Sequence, residues 1–261
     1  MNLQIGLLGT TILRHDGRET SVRPNQARTI LALLALSCGR VVSTEQLIDE
    51  LWADRPLGNA RNALQANVAR LRRLLASLVG LDADLVRAEA NGYLLDLQPD
   101  AVDAKRFDDL ARAGSACLLT DPARAAGLFE AALQQWRGMP LLDVAGGHTC
   151  RAVTVRLSER RLDVRKQLAE ANLVRGATHG LISEIKQLVA EHPSDEQLSE
   201  LLMLALYRSG RQSEALAVFH NIRSWLGAEF GLEPGPRLHQ VQHAILNQDR
   251  SFAALRPSPV S

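Results

Sequence analysis

Residues 55–81 hold five arginines (Arg55, Arg61, Arg70, Arg72, Arg73) and no Asp, Glu or Lys, in a chain whose acids and bases are otherwise interspersed. Within that stretch Leu64, Val68, Leu71 and Leu75 are spaced four, three and four. That interval stacks side chains on one face of an α-helix. At 100° per residue the opposite face carries Asn62, Ala66, Ala69, Arg70 and Arg73, with Arg61, Gln65 and Arg72 on the flanks. The spacing predicts a helix over residues 60–77, buried along its leucine stripe and basic outside.

The neighbouring segments say what the stripe packs into. Leu3, Ile5 and Leu7 alternate at period two, and residues 11–14 continue the strand character. Asp16-Gly17 supplies a hairpin turn before a strand over 19–22. Pro24 opens a helix carrying Ile30, Leu31 and Leu34, and Val41-Val42 reads as an extended link. Ser43 or Thr44 caps a second helix with Leu47, Ile48 and Leu51 inside and Trp52 near its end. Pro56 and Gly58 break that helix, so residues 53–59 form a loop. After the Arg-rich helix, residues 85–87 and 93–97 read as strands around the turn Ala90-Asn91-Gly92. Strands, three helices and a hairpin is the order of an α+β winged helix of the OmpR/PhoB kind.

Beyond Gln98-Pro99-Asp100 every segment to about residue 248 carries helical periodicity, Trp136 and Trp225 included. The expected organisation is a winged helix over 1–98, an all-α domain over 99–250 and a flexible tail over 251–261. Gly176, Leu181, Ile185, Leu188 and Pro193 match the second helix of a tetratricopeptide repeat. Gly210, Ala215, Phe219 and Ile222 repeat the pattern 34 residues later, that family's period, and Ala125, Phe129 and Ala132 suggest a degenerate earlier copy.

Composition limits the function classes. A 261-residue chain with 46% hydrophobic and 23% charged residues is globular, and its net charge of +1 leaves any polyanion-binding surface to a local patch. Cys38, Cys117 and Cys150 form no CxxC pair and read as small buried thiols of a reducing cytosol. The first residues lack a basic signal-peptide region, and no apolar run reaches the ~18–20 residues of a membrane span, so a cytoplasmic protein is expected. His239 and His243 lack the Glu of a zinc-protease helix, and there is no phosphate loop or nucleophile elbow. No catalytic residue, metal or cofactor is expected.

A basic helix with small residues on its outer face suits the major groove of DNA. Ala66 and Ala69 allow close approach. Arg70 can chelate guanine, and Asn62 or Gln65 can pair with adenine, while Arg61, Arg72 and Arg73 suit phosphates. The motif Asn62-Ala-Leu-Gln-Ala-Asn-Val-Ala-Arg-Leu-Arg-Arg73 follows Arg40-Val-Val-Ser-Thr-Glu-Gln-Leu-Ile-Asp-Glu-Leu-Trp52 and precedes Gly92-Tyr-Leu-Leu-Asp-Leu97. With these motifs the chain resembles the Streptomyces antibiotic regulatory protein (SARP) family. Leu202-Met-Leu-Ala-Leu-Tyr-Arg-Ser-Gly-Arg-Gln-Ser-Glu-Ala-Leu216 and Glu229-Phe-Gly-Leu-Glu-Pro-Gly-Pro236 resemble its bacterial transcriptional activation domain. The resemblance spans residues 1–248.

It implies a transcriptional activator of a secondary-metabolite (antibiotic) gene cluster. Such a protein binds promoter direct repeats as side-by-side protomers and recruits RNA polymerase holoenzyme, including the principal sigma factor. It further implies that Arg70 reads a base, that Asn91 is the wing contact, and that the loop holding Asp54, Arg55, Pro56, Leu57 and Gly58 meets polymerase. The wing departs from the family pattern: it reads Arg87-Ala-Glu-Ala-Asn91, so Arg87 takes the place of the usual basic residue and Glu89 opposes a phosphate contact. A tetratricopeptide-like interaction scaffold and a ligand-responsive repressor are the alternative readings.

Overall fold

The computed structural model describes residues 3–52, 58–80, 84–177 and 180–249. Its elements are β1 (Gln4–Gly6), β2 (Ile12–His15), β3 (Arg18–Ser21), α1 (Asn25–Ser37), β4 (Val42–Ser43), α2 (Thr44–Trp52), α3 (Ala60–Val79), β5 (Val86–Glu89) and β6 (Gly92–Leu95). There follow α4 (Asp103–Cys117), α5 (Pro122–Leu133), α6 (His148–Val174), α7 (Leu181–Glu191), α8 (Glu196–Arg208), α9 (Gln212–Phe230) and α10 (Pro236–Leu246). The chain divides into two compact units, residues 1–112 with 131–161 and residues 113–130 with 162–261, the divisions falling within α4, α5 and α6.

In the first unit β1, β2 and β3 form an antiparallel meander, with Gln4 opposite Arg14 and Ile12 opposite Ser21. Its turn is Asp16-Gly17, both at positive φ. A second antiparallel sheet runs β4-β6-β5, so Val41-Val42 is more than a link: Val42 pairs with Tyr93 and adds an edge strand to the hairpin, leaving β6 in the centre. Gly92 makes this possible, since a Cβ there would stand 2.0 Å from the Val42 carbonyl oxygen. Ser43 caps α2, its Oγ accepting from the Gln46 N–H at 3.1 Å. Buried leucines and small residues of α1 (Ile30, Leu31, Leu34) and α3 (Leu64, Val68, Leu71) fill the core with Leu47.

The structure departs from the sequence pattern in two places. Residues 134–147 are not helical, and Trp136 lies in that irregular stretch. The backbone instead runs along the connection between β1 and β2, with N–H groups of Arg137, Leu141 and Leu142 donating to the carbonyls of Leu8, Leu7 and Gly9. The apolar residues of this stretch do not share one buried face: Leu141 is buried, whereas Met139 and Leu142 are exposed. Trp136 meets Phe107 edge-on at 5.3 Å and carries the Arg161 guanidinium 4.7 Å from its ring centroid. In α2, Ile48 and Leu51 are half-buried, whereas Glu50 is only 6% exposed.

The second unit is helical. α7 buries Leu181, Ile185 and Leu188, and α9 buries Ala215, Phe219 and Ile222, each after a glycine at φ +74° (Gly176, Gly210). The 34-residue offset is thus a structural repeat. Ala125 and Phe129 are buried as well, and Ala132, just across the division in the first unit, is also buried. Asp195 caps α8 by accepting from the Leu198 N–H and pairs with Lys166, and Arg237 neutralises the buried Glu200 at 2.9 Å. His239 is half-buried with its ring 5.2 Å from Phe219, and His243 is exposed. The tail beyond 249 lies outside the described residues.

Candidate nucleic-acid interface

α3 is placed as its pattern demands. Leu64, Val68, Leu71 and Leu75 are buried, while Arg61, Asn62, Gln65, Ala66, Ala69, Arg70 and Arg73 are all exposed. Among the described residues, Arg61, Arg70 and Arg73 make no ion pair, and α3 itself holds no acid. The helix therefore presents a cationic, small-residue surface without internal neutralisation. That surface favours a polyanion by releasing its counterions.

The structure adds a residue that the wheel reading passed over. Asn67 is buried beside the leucine stripe, its Nδ2 donating to the Ala63 carbonyl at 2.9 Å. Its Oδ1 accepts from Arg70 Nη1 at 3.5 Å, a long contact that inclines the guanidinium along the helix. The signal was a polar side chain three residues after Leu64 and four before Leu71, on a flank that otherwise packs.

The other two basic candidates are committed elsewhere. Arg72 is half-buried, its Nε donating to the Val86 carbonyl at 2.8 Å and standing 3.8 Å from Asp84. It braces the start of β5. Arg87 pairs with Asp96 at 2.5 Å, both side chains about half exposed. Glu89, Ala90 and Asn91 are exposed on the wing, and the Asn91 carbonyl accepts the Thr44 N–H at 2.8 Å, which ties the wing turn to the first residue of α2. Gly58 is exposed in a turn before α3, whereas Asp54, Arg55, Pro56 and Leu57 lie outside the described residues.

No competing chemistry appears among the described residues. They hold no cluster of His, Cys, Asp or Glu able to bind a metal, and no helix is long and apolar enough to cross a membrane. The cysteines are free. Burial beside Glu50 pushes the Cys150 thiol up to about 12, far from the range of a reactive thiolate.

Residues 17–95 match the family model of the C-terminal domain of transcriptional regulatory proteins, and residues 102–246 match that of the bacterial transcriptional activator domain. A winged helix with a basic third helix, joined to an activator-type helical domain, defines a class of bacterial transcriptional regulators. The transcriptional regulator RedD of Streptomyces coelicolor is 39% identical over 249 residues, covering 95% of this chain and 71% of RedD. The regulatory protein DnrI of Streptomyces peucetius is 39% identical over 253 residues, 95% of this chain and 93% of DnrI. A solved structure of Mycobacterium tuberculosis EmbR in complex with a low-affinity phosphopeptide matches with a TM-score of 0.90 and 30% identity, over 97% of this chain and 68% of that one. The chain belongs to the SARP family of transcriptional regulators.

Proposed function

We propose that this protein is a cytoplasmic, sequence-specific activator of a secondary-metabolite gene cluster, reading promoter direct repeats with α3 and recruiting RNA polymerase holoenzyme through its principal sigma factor. The observation that carries the reading is the α3 surface: exposed Arg61, Arg70 and Arg73, with no ion pair among the described residues, around Ala66 and Ala69. Arg70, with Asn62 and Gln65 beside it, is the base reader, each good bidentate pair contributing ~1–3 kcal/mol of discrimination. Arg61 and Arg73 neutralise phosphates. Arg72 contributes through the wing it braces, and Asn91 is the wing residue facing DNA. Arg87, paired with Asp96, adds little net charge.

Residues 54–58 and the helical domain hold polymerase, and two protomers lie side by side on adjacent repeats. Each ~1.4 kcal/mol of added contact raises promoter occupancy tenfold. Footprinting on promoters near the protein's own gene, followed by transcription in vitro with the principal holoenzyme, tests this. Protection of repeated sites with increased transcript is expected. Lowered transcript would indicate a repressor, and binding no tighter than to competitor DNA would indicate a scaffold.

A further inference from the structure

The winged helix carries one buried charge that DNA reading does not use. Glu50, in the last turn of α2, sends both carboxylate oxygens to the first turn of α6. Oε1 accepts the Cys150 N–H at 2.7 Å and Oε2 the Thr149 N–H at 3.0 Å. These are orphan amides of a 27-residue helix, and a carboxylate is the partner that both hydrogen bonding and the helix dipole favour there. The approach is close by construction. A Cβ on Gly147 would lie 3.2 Å from the Glu50 carbonyl oxygen, and one on Gly146 would strike the Cys150 side chain at 2.3 Å. α1 grips the same segment from another side: Arg28 Nη1 donates to the Asp143 carbonyl at 2.7 Å, and Thr29 Oγ1 to that of Ala145 at 3.4 Å. Burial pushes the Glu50 carboxyl up, but the Cys150 and Thr149 donors together outweigh it and hold the group below its ordinary value.

We infer that Glu50 is the positioning residue of activation: it fixes the start of α6 to the DNA-reading fold, so that DNA-bound protein offers this part of the activator domain to polymerase in one pose. The inference rests on the proposed recruitment function. Asp103 and Asp143 also bridge to the connection between β1 and β2, accepting from the N–H groups of Leu7, Leu8 and Thr11, but they reach from the activator half towards the first sheet. Glu50 alone of these reaches outward, from the helix immediately before the DNA-reading one.

The test compares wild type with Glu50→Gln, which keeps the shape but replaces one acceptor by a donor facing an N–H. Affinity for the footprinted repeat should stay within ~2-fold. At protein concentrations that saturate the repeat, transcript output should fall at least ~10-fold, the scale of one lost hydrogen bond to a charge. Hydrogen exchange at the Thr149 and Cys150 amides of the full chain should quicken by ~10-fold. Should Glu50→Gln fail to fold, Gly147→Ala retains the charge, crowds the same contact, and should lower saturated output in the same direction. Unchanged output at saturation overturns the inference. So does a loss of output fully accounted for by weaker DNA binding, which would make Glu50 merely a support of the fold. Wild type that binds the repeat without raising transcription overturns the recruitment function beneath it, a result distinct from either.

Discussion

Arg70 and Arg73 stand on the same exposed face of α3, yet different duties follow from what lies beside them. Arg70 leans on Asn67, on the face that also exposes Ala66 and Ala69, whereas the Arg73 Nε donates to the Ala69 carbonyl at 3.4 Å. Arg70→Ala should therefore flatten sequence preference at one base position by ~1–3 kcal/mol, read by competition with operators substituted base by base. Arg73→Ala should weaken binding to every sequence alike and lower the slope of log K against log salt by ~0.9. Equal loss of specificity from both changes would contradict this division. Arg72 was expected among the phosphate contacts on its flank position alone. Because its Nε is bound to the Val86 carbonyl, Arg72→Ala should shift the salt slope less than Arg73→Ala does. No wheel projection reveals such a partner, since it lies on an element fourteen residues away. Glu50 escaped for a similar reason: an acid in an amphipathic helix reads as solvated until its amide partners, one hundred residues on, are in place. Its folded pKa is depressed below 4.5, so its contribution is present above that value and lost as pH falls through the folded one. Acid titration should show wild type losing stability below pH ~4.5 more steeply than Glu50→Gln.

At the scale of elements, the strong periodicities were legible and the irregular connections were not. The leucine stripe of α3, the Asp16-Gly17 hairpin and the 34-residue repeat all appear where the pattern put them, because burial of one face is a local demand. β4 was missed as a strand because two residues carry no period, and its place is decided by the close approach of Gly92. Residues 134–147 are not legible because their partners are the backbone carbonyls of residues 7–9, in the connection between β1 and β2. The two units answer to different cores. Leu71→Ala, at a fully buried site, should cost ~2–5 kcal/mol and abolish DNA binding, while Phe219→Ala should cost ~3–5 kcal/mol in the repeat unit. Chemical denaturation followed separately by DNA binding and by helicity would distinguish the two losses.

For the whole molecule, the family-model boundary near residue 100 does not coincide with the compact units. The first unit takes in the start of α4 and residues 131–161, through Asp103, Arg137, Asp143 and the Glu50 contact. A fragment ending at residue 98 would strip the Leu7, Leu8 and Thr11 N–H groups of their carboxylate partners. Such a fragment should thus be unstable on its own, a sharper outcome than a DNA-binding domain that merely lacks activation. The central claim, that α3 makes this chain a sequence reader, is tested most directly by titrating the 261-residue chain onto a repeat-bearing promoter fragment and onto a shuffled duplex at several salt concentrations. The account predicts a preference of ~10³ or more for the repeat, falling on Arg70→Ala, with both affinities declining as salt rises. Equal affinity for the two duplexes at every salt concentration would contradict it.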